Sequence, residues 1–340
     1  MPEKSVVLGF SGGMDSVTAA KKLTSEGWRV VAVTLDTVGD TAMLDKAQRI
    51  ASELGIEHHI VDVKEAFQRE IIDYFISEYK CGHTPAPCTV CNSAVKWRYL
   101  VAQADALGVE KVATGHYFRI EKDGDKFFVA RAADGVKDQS YYLWNLPQST
   151  LSRIITPMSE MLKSEVREGF SDKRESMGIC FLRGQSYRDF LVKHAPEVLR
   201  CGDIVNVAGD KVGQHDGVAF YTIGQKRGME LSEGGLSVVK IDAERNQIVV
   251  GEHCLLYKST LDITGCNLVD EEEFMSADDV SLAVRGIGRN PQGFILKKEP
   301  IEGGYRIVLD DPAWAPAAGQ PVVFYRGNRV LGGGILERYY

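Results

Sequence analysis

The sequence contains no apolar run that approaches the roughly 20 residues of a membrane-spanning helix. Its opening, MPEKSVVLGF, lacks the basic and then apolar profile of a secretory leader, so export is not expected and the cytoplasm is the expected compartment. No G-x-x-x-x-G-K-[ST] segment occurs, which excludes a Walker phosphate loop. Internal repeats and low-complexity tracts are absent as well. Cysteine is sparse at seven residues in 340, and an odd number spread over a long chain argues against a disulfide scaffold. Positive charge is not in excess: the net charge is −7, which speaks against a general nucleic-acid binder and leaves room only for local basic faces.

What is present is ordinary globular material, 44% hydrophobic and 26% charged, in a length that suggests two or three domains. SVVLGF, RVVAVTLD, HHIVDV and KVATGH read as buried strands, with helices in SVTAAKKLTSEG, TAMLDKAQRIASELG, AFQREIIDYFISEY and SAVKWRYLVAQADALG. Such alternation predicts an α/β fold, a Rossmann-like doubly wound parallel sheet. Beyond about residue 165 come two short helical segments, KSEVREGFSDKRESMG and SYRDFLVKHAPEV, and from about residue 200 short β runs punctuated by Gly and Asp. These predict a small central region and a C-terminal β-barrel, with the chain divided at 1–165, 166–255 and 256–340.

The first strand runs into Gly9, Phe10, Ser11, Gly12, Gly13, Met14, Asp15 and Ser16. A glycine turn between a strand and a helix points backbone N–H groups at an anion, and the two serines add hydroxyl donors. It lacks the third glycine of a dinucleotide fingerprint. Asp15 beside a phosphate is repulsive unless a cation bridges the two, which favours a Mg²⁺–pyrophosphate site. The plainer reading is a tight turn with a helix cap.

A second cluster, CGHTPAPCTVCNSAVKW, holds Cys81, His83, Cys88 and Cys91. Three readings stand side by side. The four could ligate structural zinc. Cys91, just before an expected helix opened by Asn92, could be an activated thiolate. Cys88 and Cys91 with the distant Cys180 could hold an iron–sulfur cluster. Cys201, Cys254 and Cys266 fit the role of small apolar residues best.

SGGMDS resembles the SGGxDS loop of the PP-loop ATP pyrophosphatases, which cleave ATP to AMP and pyrophosphate. TPAPCTVCNSAVKW, ATGHYFRI, KDQSYYLW, GICFL, SYRDFL, TIGQKRG and GQPVVFYRGNRVLGGGILE resemble, in order and from about residue 5 to 338, blocks of the bacterial tRNA 2-thiouridylases (MnmA/TrmU). The resemblance implies a PP-loop domain of the adenine nucleotide alpha hydrolase type. It implies ATP- and Mg²⁺-dependent adenylylation of the C2 oxygen of the wobble uridine in tRNA. Sulfur then arrives from a cysteine persulfide, giving 2-thiouridine, AMP and pyrophosphate. The implied partners are tRNA and a sulfur-relay protein or cysteine desulfurase, with no membrane and no DNA.

Residue by residue, the resemblance places ATP on Gly9 to Ser16, Leu35 and Gly115. Cys180 matches the persulfide cysteine, and Cys91 its partner, which attacks the intermediate or forms a disulfide with Cys180. Ala86, Pro87 and Cys88 match the stretch that meets the target base; His116, Lys137, Asp138, Gln139, Arg285 and Gln320 match positions that touch tRNA. Without the resemblance, His116 reads as a structural hydrogen-bonder, Lys137 and Asp138 as a solvated pair, and Tyr141, Tyr142 and Trp144 as core. Basic residues including Lys96, Arg98, Lys163, Lys173, Arg174 and Arg188 are candidates for RNA phosphates or for a solvated face.

Three departures stand out. The segment after the second strand is shorter than the family's, some members carry Asp where Cys88 stands, and Cys81 and His83 replace other residues. The rival readings are another PP-loop sulfur or nitrogen transferase, cluster-dependent or not, and an idle paralogue that only binds tRNA.

Overall fold

Val6, Val7 and Leu8 are successive and fully buried, the mark of a strand covered on both faces. They form β1 (Ser5–Gly9), followed by β2 (Arg29–Asp36), β3 (Glu57–Asp62), β4 (Lys111–Thr114), a hairpin of β5 (Arg119–Asp123) and β6 (Lys126–Ala130), and the short β7 (Ile154–Ile155). The computed structural model describes residues 4–170, 178–229, 231, 234–286 and 288–340. Lys173, Arg174 and the latter part of KSEVREGFSDKRESMG lie outside the described residues.

The chain divides into two compact units, one of residues 1–71, 88–177 and 328–331, the other of 72–87, 178–327 and 332–340. In the first, the expected doubly wound sheet is present: β3-β2-β1-β4-β7, all parallel. On one face α1 (Met14–Ser25) and α2 (Thr41–Glu53) lay small residues, Ala19, Ala20, Ala47 and Ala51, into a core with Val6, Leu8, Val30 and Ala32. Alanine at these positions lets helix and sheet approach closely while removing apolar surface from water. The helix Trp97–Ala106 packs on β1 and β4 with Trp97, Leu100 and Ala104 buried. The short connection from β2 to α2 is held by Asp36, which accepts from Gly39 N at 2.7 Å and pairs with Lys64 at 2.9 Å. Asp40 caps α2 by accepting from Met43 N.

The second unit is β-rich. β8 (Gly202–Asn206), β9 (Lys211–His215), β10 (Ser237–Asp242) and β11 (Gln247–Gly251) form a sheet in the order β10-β11-β8-β9. β12 (Tyr257–Leu268), β13 (Val280–Ala283), β14 (Ile295–Ile301), β15 (Gly304–Trp314), β16 (Pro321–Arg326) and β17 (Arg329–Tyr339) form an antiparallel ladder β13-β16-β17-β12-β15-β14 whose two end strands touch, the closure of a barrel. The helix Asp73–Lys80, expected within the α/β domain, belongs to this unit. Its Phe75 is fully buried against Phe181 and Phe190, with ring centroids 5.2 and 6.1 Å away.

Candidate active site

In the first unit Gly9 pairs with Val33 of β2 on one side and with Thr114 of β4 on the other, so the glycine loop leaves the sheet where strand order reverses. Open α/β sheets bind ligands at that point, outside the carboxyl ends of the strands. Gly12 has φ +66°, and a Cβ there would lie 3.1 Å from Ala47 Cα; it turns the loop while letting α2 pass. Gly13 is the N-terminal boundary of α1 and supplies no side-chain cap. The helix-cap reading of the loop is therefore not what the chain does. The serines brace the loop instead: Ser16 Oγ donates to Gly13 O at 2.9 Å and accepts from Ser11 N at 3.3 Å. An uncapped N-terminus of a 12-residue helix, with its positive dipole end, suits an anion.

Asp15, the expected cation bridge, already has a cation. Lys163 Nζ donates to Asp15 Oδ1 at 2.6 Å and Oδ2 at 2.7 Å, and Tyr117 OH donates to Oδ1 at 2.7 Å. The Lys163 side chain is 6% exposed and that of Asp15 35%. Lys163 N is in turn fixed by Asp134 Oδ2 at 2.8 Å. Lys163 is thus no RNA-facing lysine, and its pairing across 148 residues left no signal in the sequence. Both carboxylate oxygens of Asp15 are thus engaged by protein donors.

Gly115 follows β4, and a Cβ there would fall 2.8 Å from Asp15 C and Ser16 N. Glycine lets the end of β4 touch the start of α1. His116 comes next, half-buried, with Nδ1 2.7 Å from Thr114 Oγ1 and Nε2 3.2 Å from Lys96 Nζ. Because an ammonium only donates, Nε2 accepts and Nδ1 carries the proton. Burial, reinforced by the Lys96 charge, holds the imidazole well below its usual pKa, hence neutral.

The cysteine helix starts earlier than expected. It runs from Pro87 through Cys91, continues in a wider turn over Asn92–Lys96 and then as Trp97–Ala106. Proline is pre-set for a first helical position. Cys88, not Cys91, therefore sits in the first turn, and Cys91 has helical φ −59° and ψ −39°. Cys88 is exposed and Cys91 half-buried. Asn92 is 3% exposed and donates from Nδ2 to Cys88 O at 3.0 Å and to Tyr142 O at 3.2 Å. Burial, with the nearby Cys88, raises the Tyr142 pKa, so its hydroxyl stays protonated. Tyr141 and Trp144 are core residues at 6% and 5% exposure.

The triplet before them is busy locally. Asp138 accepts from Ala132 N at 2.9 Å and from Ser140 Oγ at 2.6 Å. Gln139 brackets Tyr117, accepting from its N–H at 3.0 Å and donating its own N–H to its carbonyl at 2.8 Å. Lys137 N donates to Asp134 Oδ1. Leu35, half-buried near the end of β2, pairs with Val61. Phe10 is buried, its N–H bonded to Val33 O at 2.8 Å.

In the second unit, Cys180 is exposed on the single turn Cys180–Leu182, anchored by the buried Phe181 and ended by Arg183 at φ 47°. Arg285 donates to Ala315 O at 2.7 Å and lies over Trp314, 5.0 Å from the ring. Gln320 closes a turn, its carbonyl accepting from Leu336 N, and its Oε1 is buried without a hydrogen-bond partner among the described residues. Ala86 is half-buried and Pro87 buried. His83 Nδ1 meets Glu78 Oε2 at 2.9 Å and Cys81 is exposed. Among the described residues, no three His, Cys, Asp or Glu side chains are grouped to hold a metal ion, so the expected zinc and iron–sulfur ligand sets are not assembled there. No helix among the described residues is long and apolar enough to cross a membrane.

Residues 4–184 match the family described as tRNA methyl transferase HUP domain, 188–252 its PRC-barrel domain, and 278–336 an aminomethyltransferase beta-barrel domain. A protein of Bacteroides fragilis (strain YCH46) named tRNA-specific 2-thiouridylase MnmA 3 is 38% identical over 98% of this chain and 94% of its own length. One of Syntrophomonas wolfei, named tRNA-specific 2-thiouridylase MnmA, is 39% identical over 96% of this chain and 98% of its own. The predicted tRNA methyltransferase subunit of Methanocaldococcus jannaschii aligns with a TM-score of 0.33 at 20% identity, covering 48% of this chain and 73% of its own. By its kinship along nearly the whole chain, the protein belongs to the tRNA-specific 2-thiouridylase (MnmA) family.

Proposed function

We propose that the protein is a tRNA-uridine 2-sulfurtransferase that adenylylates the C2 oxygen of a wobble uridine with ATP and replaces the AMP with sulfur. The observation that carries this reading is the glycine loop at the sheet's reversal point, opening on an uncapped helix N-terminus. Backbone N–H groups there would hold the pyrophosphate portion of ATP, with Mg²⁺ carried on the phosphates, and Leu35 and Gly115 would line the adenosine side. The carbonyl-like oxygen of uracil is a poor leaving group; as an AMP ester it departs readily.

Cys180, exposed on its turn, is assigned the persulfide, and Cys91 the thiol that attacks the intermediate or resolves the persulfide as a disulfide. Ala86, Pro87 and Cys88 are assigned to the target base. His116, Lys137, Arg285 and Gln320 are assigned to tRNA, with Asp138 and Gln139 shaping the loop that carries Lys137. A sulfur-relay protein or cysteine desulfurase would load Cys180 in the cytoplasm. The 1–165 portion would catalyse, with 166–255 and 256–340 binding tRNA.

The test is thiolation of unmodified tRNA with ATP, Mg²⁺ and a persulfide donor under anaerobic conditions, read by nucleoside mass spectrometry. Wild type is expected to form 2-thiouridine, and Cys180→Ser and Cys91→Ser to lose it. ATP cleavage to AMP without any thiolated nucleoside would sink the substrate assignment. Activity dependent on an added iron–sulfur cluster and free sulfide would overturn the persulfide.

A further inference from the structure

Lys96 is a half-buried lysine with an unusual partner. Its Nζ lies 3.2 Å from His116 Nε2, and among the described residues no carboxylate comes within ion-pair distance of it. Other cations withdrawn from water in the same unit are neutralised: the buried Lys163 by Asp15, and the half-buried Arg119 by Glu160 and Arg153 by Asp105. A cation withdrawn from water, and held by a neutral acceptor rather than an anion, has unspent charge.

Its position says which anion it serves. His116 is bonded to Thr114, the register partner of Gly9, and follows Gly115, which touches the Asp15–Ser16 peptide. The ammonium is therefore two short steps from the free N–H groups of α1. Lys96 also shares its helix with Cys88 and Asn92, which recur every fourth residue along it. The exposed Arg98 is the kind of side chain that meets an RNA backbone; Lys96 is sunk beside the strand ends where nucleotides bind.

We propose that Lys96, presented by the neutral imidazole of His116, binds a phosphate anion, and that this anion is the α-phosphate of the nucleotide undergoing transfer. The inference rests on the function proposed above. In that step the uracil O2–Pα bond forms and the bond from Pα to the β-phosphate oxygen breaks. Pyrophosphate leaves with the electron pair, and the N3 proton of the uracil goes to solvent. Lys96 transfers no proton: its charge meets the negative charge that builds on the non-bridging oxygens of Pα. His116 acts as a positioning residue, aiming the ammonium through Nε2.

The experiment measures AMP formation at saturating ATP and tRNA, together with the Kd for tRNA at two salt concentrations and the unfolding midpoint. Lys96→Gln keeps a hydrogen-bond donor for His116 and removes only the charge. It is expected to lower AMP formation about 100-fold with tRNA Kd within about threefold. Lys96→Met is expected to lose as much. His116→Gln, which retains an acceptor, is expected to remain closer to wild type than His116→Phe. Wild-type AMP formation in folded Lys96→Gln would overturn the proposal by making the contact structural. Unchanged AMP formation with a tenfold weaker tRNA Kd and a salt slope reduced by about 1 would assign the phosphate to RNA instead. Failure of the wild-type protein itself to form AMP with tRNA would be a failure of the sulfurtransferase reading, distinguishable because it precedes any effect of Lys96.

Discussion

Lys163 Nζ spans both carboxylate oxygens of Asp15, at 2.6 and 2.7 Å, at the first turn of the helix that follows the glycine loop. The pair makes that turn neutral. A bare carboxylate beside nucleotide phosphates would repel them, and a bare ammonium at 6% exposure would be costly. Lys163→Met is expected to lose about 1–3 kcal/mol of stability, discounted for the partial exposure of Asp15. It should also weaken ATP about tenfold. Asp15→Asn combined with Lys163→Met should recover much of the stability, a coupling that urea unfolding of both single variants and the double variant would measure.

Gly115→Ala tests the contact between β4 and α1. Its Cβ would stand 2.8 Å from two backbone atoms of Asp15 and Ser16, which cannot swing aside as a flexible side chain can. The strand end and helix start must part, with an expected loss of about 1–3 kcal/mol. The N–H groups at the start of α1, assigned above to the ATP phosphates, move with the helix, so calorimetry should find ATP binding weakened more than that loss of stability alone explains.

His116 makes stability depend on pH. An unfolded imidazole takes up its proton near 6.5, while the native one, buried and beside Lys96, does so well below. Above 6.5 neither state is protonated and nothing is lost. Below 6.5 the unfolded chain binds a proton that the native state refuses. Stability therefore falls as pH drops, by at most about 1.4 kcal/mol per pH unit until the native pKa is reached. His116→Gln should remove that slope in denaturation curves between pH 6.5 and 5. His58 and His215, also lowered by burial, contribute in both proteins and cancel in the difference.

Asn92→Leu removes the bond from Nδ2 to the Tyr142 carbonyl, and with it the bond to the Cys88 carbonyl, in the helix that carries Cys88 and Cys91. A loss of about 1–3 kcal/mol is expected in urea unfolding. Asn92→Asp should cost more, since a carboxylate would face two carbonyl oxygens. Thiolation, read by nucleoside mass spectrometry, should fall in both variants.

The glycine loop, the strands and the succession of α/β then β-rich regions were legible along the chain because they are local. Buried strands are continuous apolar runs, and a loop between strand and helix announces itself through its glycines. The cysteine helix starts at Pro87, a few residues before the expected start at Asn92, although proline at a first helical position is a usable signal. Nothing local marked the second half of AFQREIIDYFISEY as part of the β-rich unit, because an amphipathic helix does not state which core will take its apolar face.

By itself, the sequence determined the order of strand, glycine turn and helix around β1 and the placing of seven thiols along the chain. Only the tertiary structure decided what each ionisable group does. It paired Asp15 with Lys163, made His116 an acceptor toward Lys96, and gave Lys96 no carboxylate partner among the described residues. The reason is physical: charge states and partners depend on burial and on distances of about 3 Å, and those are set by chain folding between residues far apart in the sequence.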